Sequence, residues 1–165
     1  MKILRIATIA LGSLLVIAII GAGIARLVIN GPIGPLAGGE LTGNQQPAPE
    51  DWSFSNDQFT IAVEVGPDDP HSVTVICFIV NGELYIPAQG AADKDWPQMA
   101  IADGRAKVRI EEDLYPVRLV RIEDVALREA AFQSGSEKYP QFAERLTEGV
   151  PDTVWLFHAE RRPWL

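Results

Sequence analysis

Hydrophobic and polar positions divide the chain into an apolar head, a Pro/Gly-rich stretch and a region of strand-like patterns. From Ile6 to Ala25 there is no charged residue. As a helix, those 20 residues would span roughly 30 Å, the thickness of a bilayer's hydrocarbon core. The run therefore predicts a single transmembrane helix within residues 1–29. A cleavable signal peptide is the alternative, but its apolar region is usually only about 7–15 residues long. Residues 30–51 follow as a linker, with Pro32, Pro35, Pro47, Pro49 and five glycines. Such a composition buries too little apolar surface to offset its ordering entropy. Packing is expected to resume at Trp52 and Phe54, giving one domain over residues 52–165.

Within that domain, Phe59, Ile61, Val63 and Val65 alternate with Gln58, Thr60, Ala62 and Glu64, which predicts a half-buried strand over 58–65. The turn cluster Gly66–Pro70 leads into a β-branched run, His71–Val80. Asn81-Gly82 follows, a strong hairpin signal because both residues tolerate the positive φ of a tight primed turn. The chain returns as Glu83–Ala88, passes the small-residue loop Gln89–Ala92 and a Trp-bearing segment, and enters a second hairpin. Its arms are Arg105–Ile110 and Leu114–Glu123, around Glu111-Glu112-Asp113. Four strands joined by tight turns predict a meander that closes as a small barrel. Asp124 is placed to cap a helix over 125–133. A second helix is expected over 136–147, starting near Tyr139 because of Pro140, with Phe142 and Leu146 toward the barrel. Asp152–Arg161 reads as a closing strand, with Val154, Leu156 and His158 on one face and Trp155 and Phe157 on the other. The tail 161–165 is expected to be loose. The fold class is thus mainly β with short helices, preceded by one membrane span.

Charge orients this arrangement. Lys2 and Arg5 precede the apolar run, so the positive-inside rule keeps the amino terminus cytoplasmic, with Arg26 a single opposing charge. The expected location is the inner (cytoplasmic) membrane, single pass, with the C-terminal domain extracytoplasmic. All 22 acidic residues follow Asn30, whereas Lys2, Arg5 and Arg26 of the 14 basic ones precede it, leaving the outer part at −11. That balance excludes a nucleic-acid partner, which needs clustered Lys and Arg, and disfavours anionic headgroups. Cys77 is the only cysteine and stands in an apolar run, so it reads as a small buried hydrophobe.

Few residues carry recognisable chemistry. His71 and His158 are the only histidines, neither with a second ligand at metal spacing, so no metal is expected. There is no Gly-x-Ser-x-Gly elbow, phosphate-binding loop or dinucleotide fingerprint, and no residue can be assigned as catalytic. Asp68-Asp69 and Glu111-Glu112 fall in turns and are expected to be solvated. His158 reads as a satisfied strand histidine; His71, at a strand start beside Ser72, is better placed to line a site. Arg105, Lys107 and Arg109 alternate with apolar residues and share one face. If Glu112-Asp113 forms the turn, Lys107 opposes Arg118, a like-charge pair that calls for a bound anion or nearby carboxylates. Both explanations stand at this level. Lys94 follows a loop of small side chains that would let a ligand approach the backbone, or is an ordinary solvated lysine.

The order Ser72–Val80, Asn81-Gly82, Leu84-Tyr85-Ile86, Lys94-x-Trp96, Ala102-Asp103-Gly104, Val108-Arg109-Ile110 and Tyr115-x-Val117-x-Leu119-x-Arg121 resembles the flavin-binding split-barrel superfamily. That superfamily includes pyridoxamine-phosphate oxidase and the deazaflavin-dependent nitroreductases, and the likeness covers residues 58–160. Tyr139–Leu146 and Thr153–His158 resemble the nitroreductase branch more closely. The resemblance implies a split β-barrel homodimer with FMN or a deazaflavin at its interface. It places Lys94, with Lys107 or Arg109, at the phosphate and Ser72 and Val73 along the ring face, and it counts Trp96 among the cofactor-binding residues. The implied activity is hydride or electron transfer to a small acceptor such as a quinone or nitro compound. The oxidase branch's Arg-x-Val-Leu-Leu-Lys is absent, and with the acidic surface this motivates an alternative: a cofactor-free extracytoplasmic binding or interaction domain on the same barrel.

Overall fold

A computed structural model describes residues 31–140 and 149–164, with the isolated positions 12, 13, 16 and 21. The expected membrane span therefore lies outside the described residues, apart from those isolated positions. Among the described residues no helix is long and apolar enough to cross a membrane.

The elements run β1 (Asn44–Gln45), β2 (Ile61–Val65), β3 (His71–Val75), β4 (Phe78–Val80), β5 (Glu83–Gln89), α1 (Asp95–Ala102), β6 (Arg105–Ile110), β7 (Asp113–Ile122), α2 (Val125–Lys138) and β8 (Val154–Arg161). The strands follow the order β3-β2-β6-β7-β8-β5-β4, all antiparallel, while the short β1 lies parallel to the start of β7. The sheet curls around Val63, Val108, Val117, Phe157, Leu84 and Ile86, all essentially fully buried. Each such aliphatic side chain contributes about 1.5–3 kcal/mol by leaving water. The result is a mainly β half-barrel with few short helices. β3 ends one side of the strand path and β4 the other, leaving a seam between β3 and β5 that hydrogen bonds do not close.

Local chemistry explains most of this. The Asn81-Gly82 turn has φ of 52° and 80°, and joins β4 to β5 with Val80 opposite Glu83. Asp124 caps α2 by accepting from the Leu127 N–H at 2.8 Å. α2 lies on the outer face of β4, close enough that a Cβ on Gly135 would fall 2.4 Å from the Phe78 ring. Phe78 meets Phe132 edge-on with centroids 5.2 Å apart.

Several expectations are corrected. The run 71–80 breaks at Ile76-Cys77 into β3 and β4, with Cys77 fully buried at the break. The Trp-bearing segment is a helix, α1; its Pro97 sits in the first turn, where the missing N–H costs no bond. α2 runs on through Ser136–Lys138 rather than yielding to a second helix at 136, and Phe142 and Leu146 lie outside the described residues. The tail packs: the Trp164 indole donates to the Gln46 carbonyl at 2.9 Å.

Residues 31–46 run along the outer face of the sheet as a strap. Leu41 is only 1% exposed, packed on Ala62 and Leu114, and its N–H donates to the Glu64 carboxylate at 2.5 Å. Gly38 and Ser72 exchange backbone hydrogen bonds of 2.8 and 2.9 Å.

Candidate functional site

The seam between β3 and β5 opens into a cleft of about 600 Å³, within the range of small-molecule sites. β3 supplies His71, Val73 and Val75 to one wall, and the end of β5 supplies Pro87, Ala88 and Gln89 to the other. Here β5 has run past β4, so on that side no ladder is broken by Pro87's missing N–H. Phe132 and Val154 also line it, and the strap's Gly34–Ala37 contributes to its rim.

The rim at β5 is set by a turn. Gly90 has φ of 60°, which lets the chain leave the strand and coil through residues 91–93. The Ala91 N–H donates to the Thr153 carbonyl at 3.2 Å, and the Gln98 amide donates to the Ala91 carbonyl at 3.2 Å. These bonds hold Lys94 at the N-cap of α1 in extended conformation, with Asp93 and Asp95 on either side. Trp96, 4% exposed, packs on Phe157 at a centroid distance of 5.4 Å and anchors the start of α1 in the core. Lys94 makes no ion pair among the described residues. With one lysine against two aspartates, the cleft's lining has an excess of one carboxylate and mostly apolar walls.

Val73, Lys94 and Trp96 thus come together, joined by His71. Ser72, Lys107 and Arg109 do not. Ser72 points to the opposite face of β3, fully buried, and its hydroxyl finds no partner among the described residues. The basic row of β6 also lies outside the barrel, under the strap. Lys107 stands opposite Glu64, their charged atoms 2.9 Å apart, and also reaches Glu40 at 3.4 Å. The Arg109 guanidinium packs against Gly31 and donates to the Thr42 carbonyl at 3.4 Å. Neighbouring carboxylates therefore balance the row at Lys107. The register differs from expectation as well. Glu111, with φ of 55°, and Glu112 form the turn, so Lys107 faces Pro116 and Arg105 faces Arg118. Asp103 resolves that like-charge pair: hydrogen bonds from the Arg105 guanidinium and N–H hold its carboxyl down at about 2.

The strap's share of the cleft had no sequence signal, because nothing periodic marks Gly34–Ala37. The β5 wall did have one, in the Pro87 and Gly90 that interrupt an apolar strand. Among the described residues no group of His, Cys, Asp or Glu is arranged to hold a metal ion. His158 pairs with Glu83 at 3.0 Å and stacks on Tyr85, as expected of a satisfied strand histidine.

No protein-family model and no curated protein matches the chain. Solved structures do. A conserved hypothetical protein from Mycobacterium tuberculosis superposes with a TM-score of 0.55 at 15% identity, covering 67% of this chain and 78% of that one. A Listeria innocua protein described as a pyridoxamine 5′-phosphate oxidase gives 0.54 at 11% identity, over 67% and 90%. An F420-H2 dependent reductase gives 0.51 at 18% identity, over 62% and 95%. At these identities the likeness establishes the fold alone, a split barrel.

Proposed function

We propose that this split barrel holds a flavin-type cofactor, FMN or a deazaflavin, in the β3–β5 cleft and works as an oxidoreductase. The observation that carries the reading is the juxtaposition of an apolar slot, walled by Val73, Val75, Pro87 and Ala88, with the cationic Lys94 at its rim. A planar ring fits such walls, and a phosphate fits Lys94. Asp93 and Asp95 weaken the field at that point, so the ring is the better matched of the two parts. When bound, the cofactor would supply hydride or electron transfer to a small acceptor such as a quinone or nitro compound. The chain's own part is to bury the ring between β3 and β5, to hold the phosphate at Lys94 Nζ, and to keep the mouth narrow with the strap. Trp96 positions Lys94 through its packing on Phe157. The likeness to an F420-H2 dependent reductase and to a protein described as an oxidase supports this chemistry. The reading includes a homodimer, as the superfamily resemblance implies. It also includes a single-pass anchor at Ile6–Ala25 in the inner (cytoplasmic) membrane, with the barrel extracytoplasmic, supported by the uncharged run and by Lys2 and Arg5 before it.

Titration of the full chain in detergent with FMN and with riboflavin, followed by fluorescence quenching, tests the proposal. Lys94→Ala should weaken FMN about tenfold, the loss of one charge-assisted contact, and leave riboflavin unchanged. Failure of FMN, riboflavin and F420 alike to bind would retire the cofactor. The carboxylates beside Lys94 favour the second reading, a cofactor-free binding domain, and that result would select it.

A further inference from the structure

We propose that the Ile33–Leu36 turn is a lipid-contacting tip, which seats the rim of the cleft on a zwitterionic bilayer surface. The proposal rests on the membrane-anchor part of the reading above. Ile33 and Leu36 are 51% and 69% exposed, two branched aliphatic side chains side by side on a domain of strongly negative net charge. They do not belong to a slack loop. The Ile33 N–H donates to the Leu36 carbonyl at 3.1 Å, and the Leu36 N–H donates back to Ile33 at 3.0 Å. Pro35 stiffens the turn further. The same residues, Gly34 to Leu36, form part of the cleft's rim, so whatever covers the tip also adjoins the cleft.

The chain outside the described residues identifies the occupant. The uncharged run ends at Ala25, and Arg26–Pro32 carries one charge and the apolar trio Leu27-Val28-Ile29. Seven residues at full extension reach at most about 25 Å, so the tip cannot stray far from the surface at which the run emerges. Beyond it the strap is fastened to the sheet, at Gly38 to Ser72 and at Leu41 to Glu64. Tip and cleft therefore face the membrane together. Apolar side chains held at an interface enter it. The charge of −11 after Asn30, with Asp93 and Asp95 beside the cleft, opposes anionic headgroups and selects a zwitterionic surface.

The test uses the full chain reconstituted in phosphatidylcholine vesicles, with a nitroxide at Leu36→Cys and, for comparison, at Asn44→Cys farther along the strap. Cys77 is buried and escapes the label. Power saturation with oxygen and with a water-soluble nickel chelate reports depth. The expected result is an oxygen-favoured signal at position 36 and a nickel-favoured one at 44. A nickel-favoured signal at 36 in vesicles that carry the chain on flotation overturns the tip alone. Chain that fails to float overturns the anchor, and the tip with it. Flavin titration in detergent decides the cofactor independently of either result.

Discussion

Replacing Lys107 with Met is the sharpest test of how the strap and sheet are held together. Glu64 has only 3% of its side chain exposed and receives two donors, the Leu41 N–H and Lys107 Nζ at 2.9 Å. Lys107→Met keeps the alkyl stem packed but strands a buried carboxylate with one neutral partner. Breaking a fully buried ion pair costs about 3–5 kcal/mol. Lys107 is 23% exposed and its second partner Glu40 is 67% exposed, so water reaches the pair from one side. The expectation is therefore about 2–3 kcal/mol, or roughly 8–12 °C in Tm for a domain of this size. Adding Glu64→Gln should restore most of the loss, because neither charge is then buried alone. Glu40→Gln should change stability by less than about 0.5 kcal/mol, as exposed pairs do. The assay is thermal unfolding of the full chain in detergent, followed by near-UV circular dichroism. A Lys107→Met melt within about 2 °C of the parent, or a double variant no better than the single, would refute the reasoning. The same variant should bind FMN unchanged, because Lys107 lies on the outer face, away from the cleft.

Tyr139→Phe should cost about 1–2 kcal/mol by chemical denaturation, since the fully buried phenol donates to the Phe59 carbonyl at 2.7 Å. Burial, with the Cys77 thiol beside it, pushes that phenol up to about 12. Its stabilising share is thus complete below about pH 10 and lost as pH rises toward 12, and the variant should flatten that decline. Asp103 runs the other way. Its carboxyl is held at about 2 by Arg105, so the pair's contribution is present above about pH 4 and fades as pH falls to 2. Carbon-detected NMR titration of Asp103 should show the low midpoint, and Arg105→Ala should raise it only part of the way, because the backbone N–H at that position still donates to Asp103.

The parts of the fold legible in the sequence are those with strong local chemistry. Asn81-Gly82 and Asp124 each announced an element boundary, and alternation in Ile61–Val65 and Val154–Arg161 separated inner from outer faces. The β6–β7 register was not legible. Its turn places Glu111 at positive φ, a position for which glutamate carries no signal, so the acidic triplet offered several registers. α1 was hidden by Pro97, which reads as a breaker unless its first-turn position is known. Of the expected site residues, Val73, Lys94 and Trp96 line one cleft together with His71, and only His71 and Lys94 had a local signal, a turn or small-residue segment at a strand end. Ser72, Lys107 and Arg109 lie outside that cleft for one reason. Alternation reports that residues share a face, but a strap without periodicity decided which face was covered. Glu64 shows the same effect: it has the pattern of a solvent-facing residue and the burial of a core one.

The backbone exchange between Gly38 and Ser72 has a consequence beyond fastening. β3 is a border strand, flanked by β2 on one side only. Borders of this kind invite another molecule to add its own strand, which is a common route to aggregates. The strap occupies the Ser72 position of that border with a bridge too short to propagate. A chain shortened past Gly38 would keep its barrel core yet expose the open N–H and C=O groups of Ser72 to its neighbours.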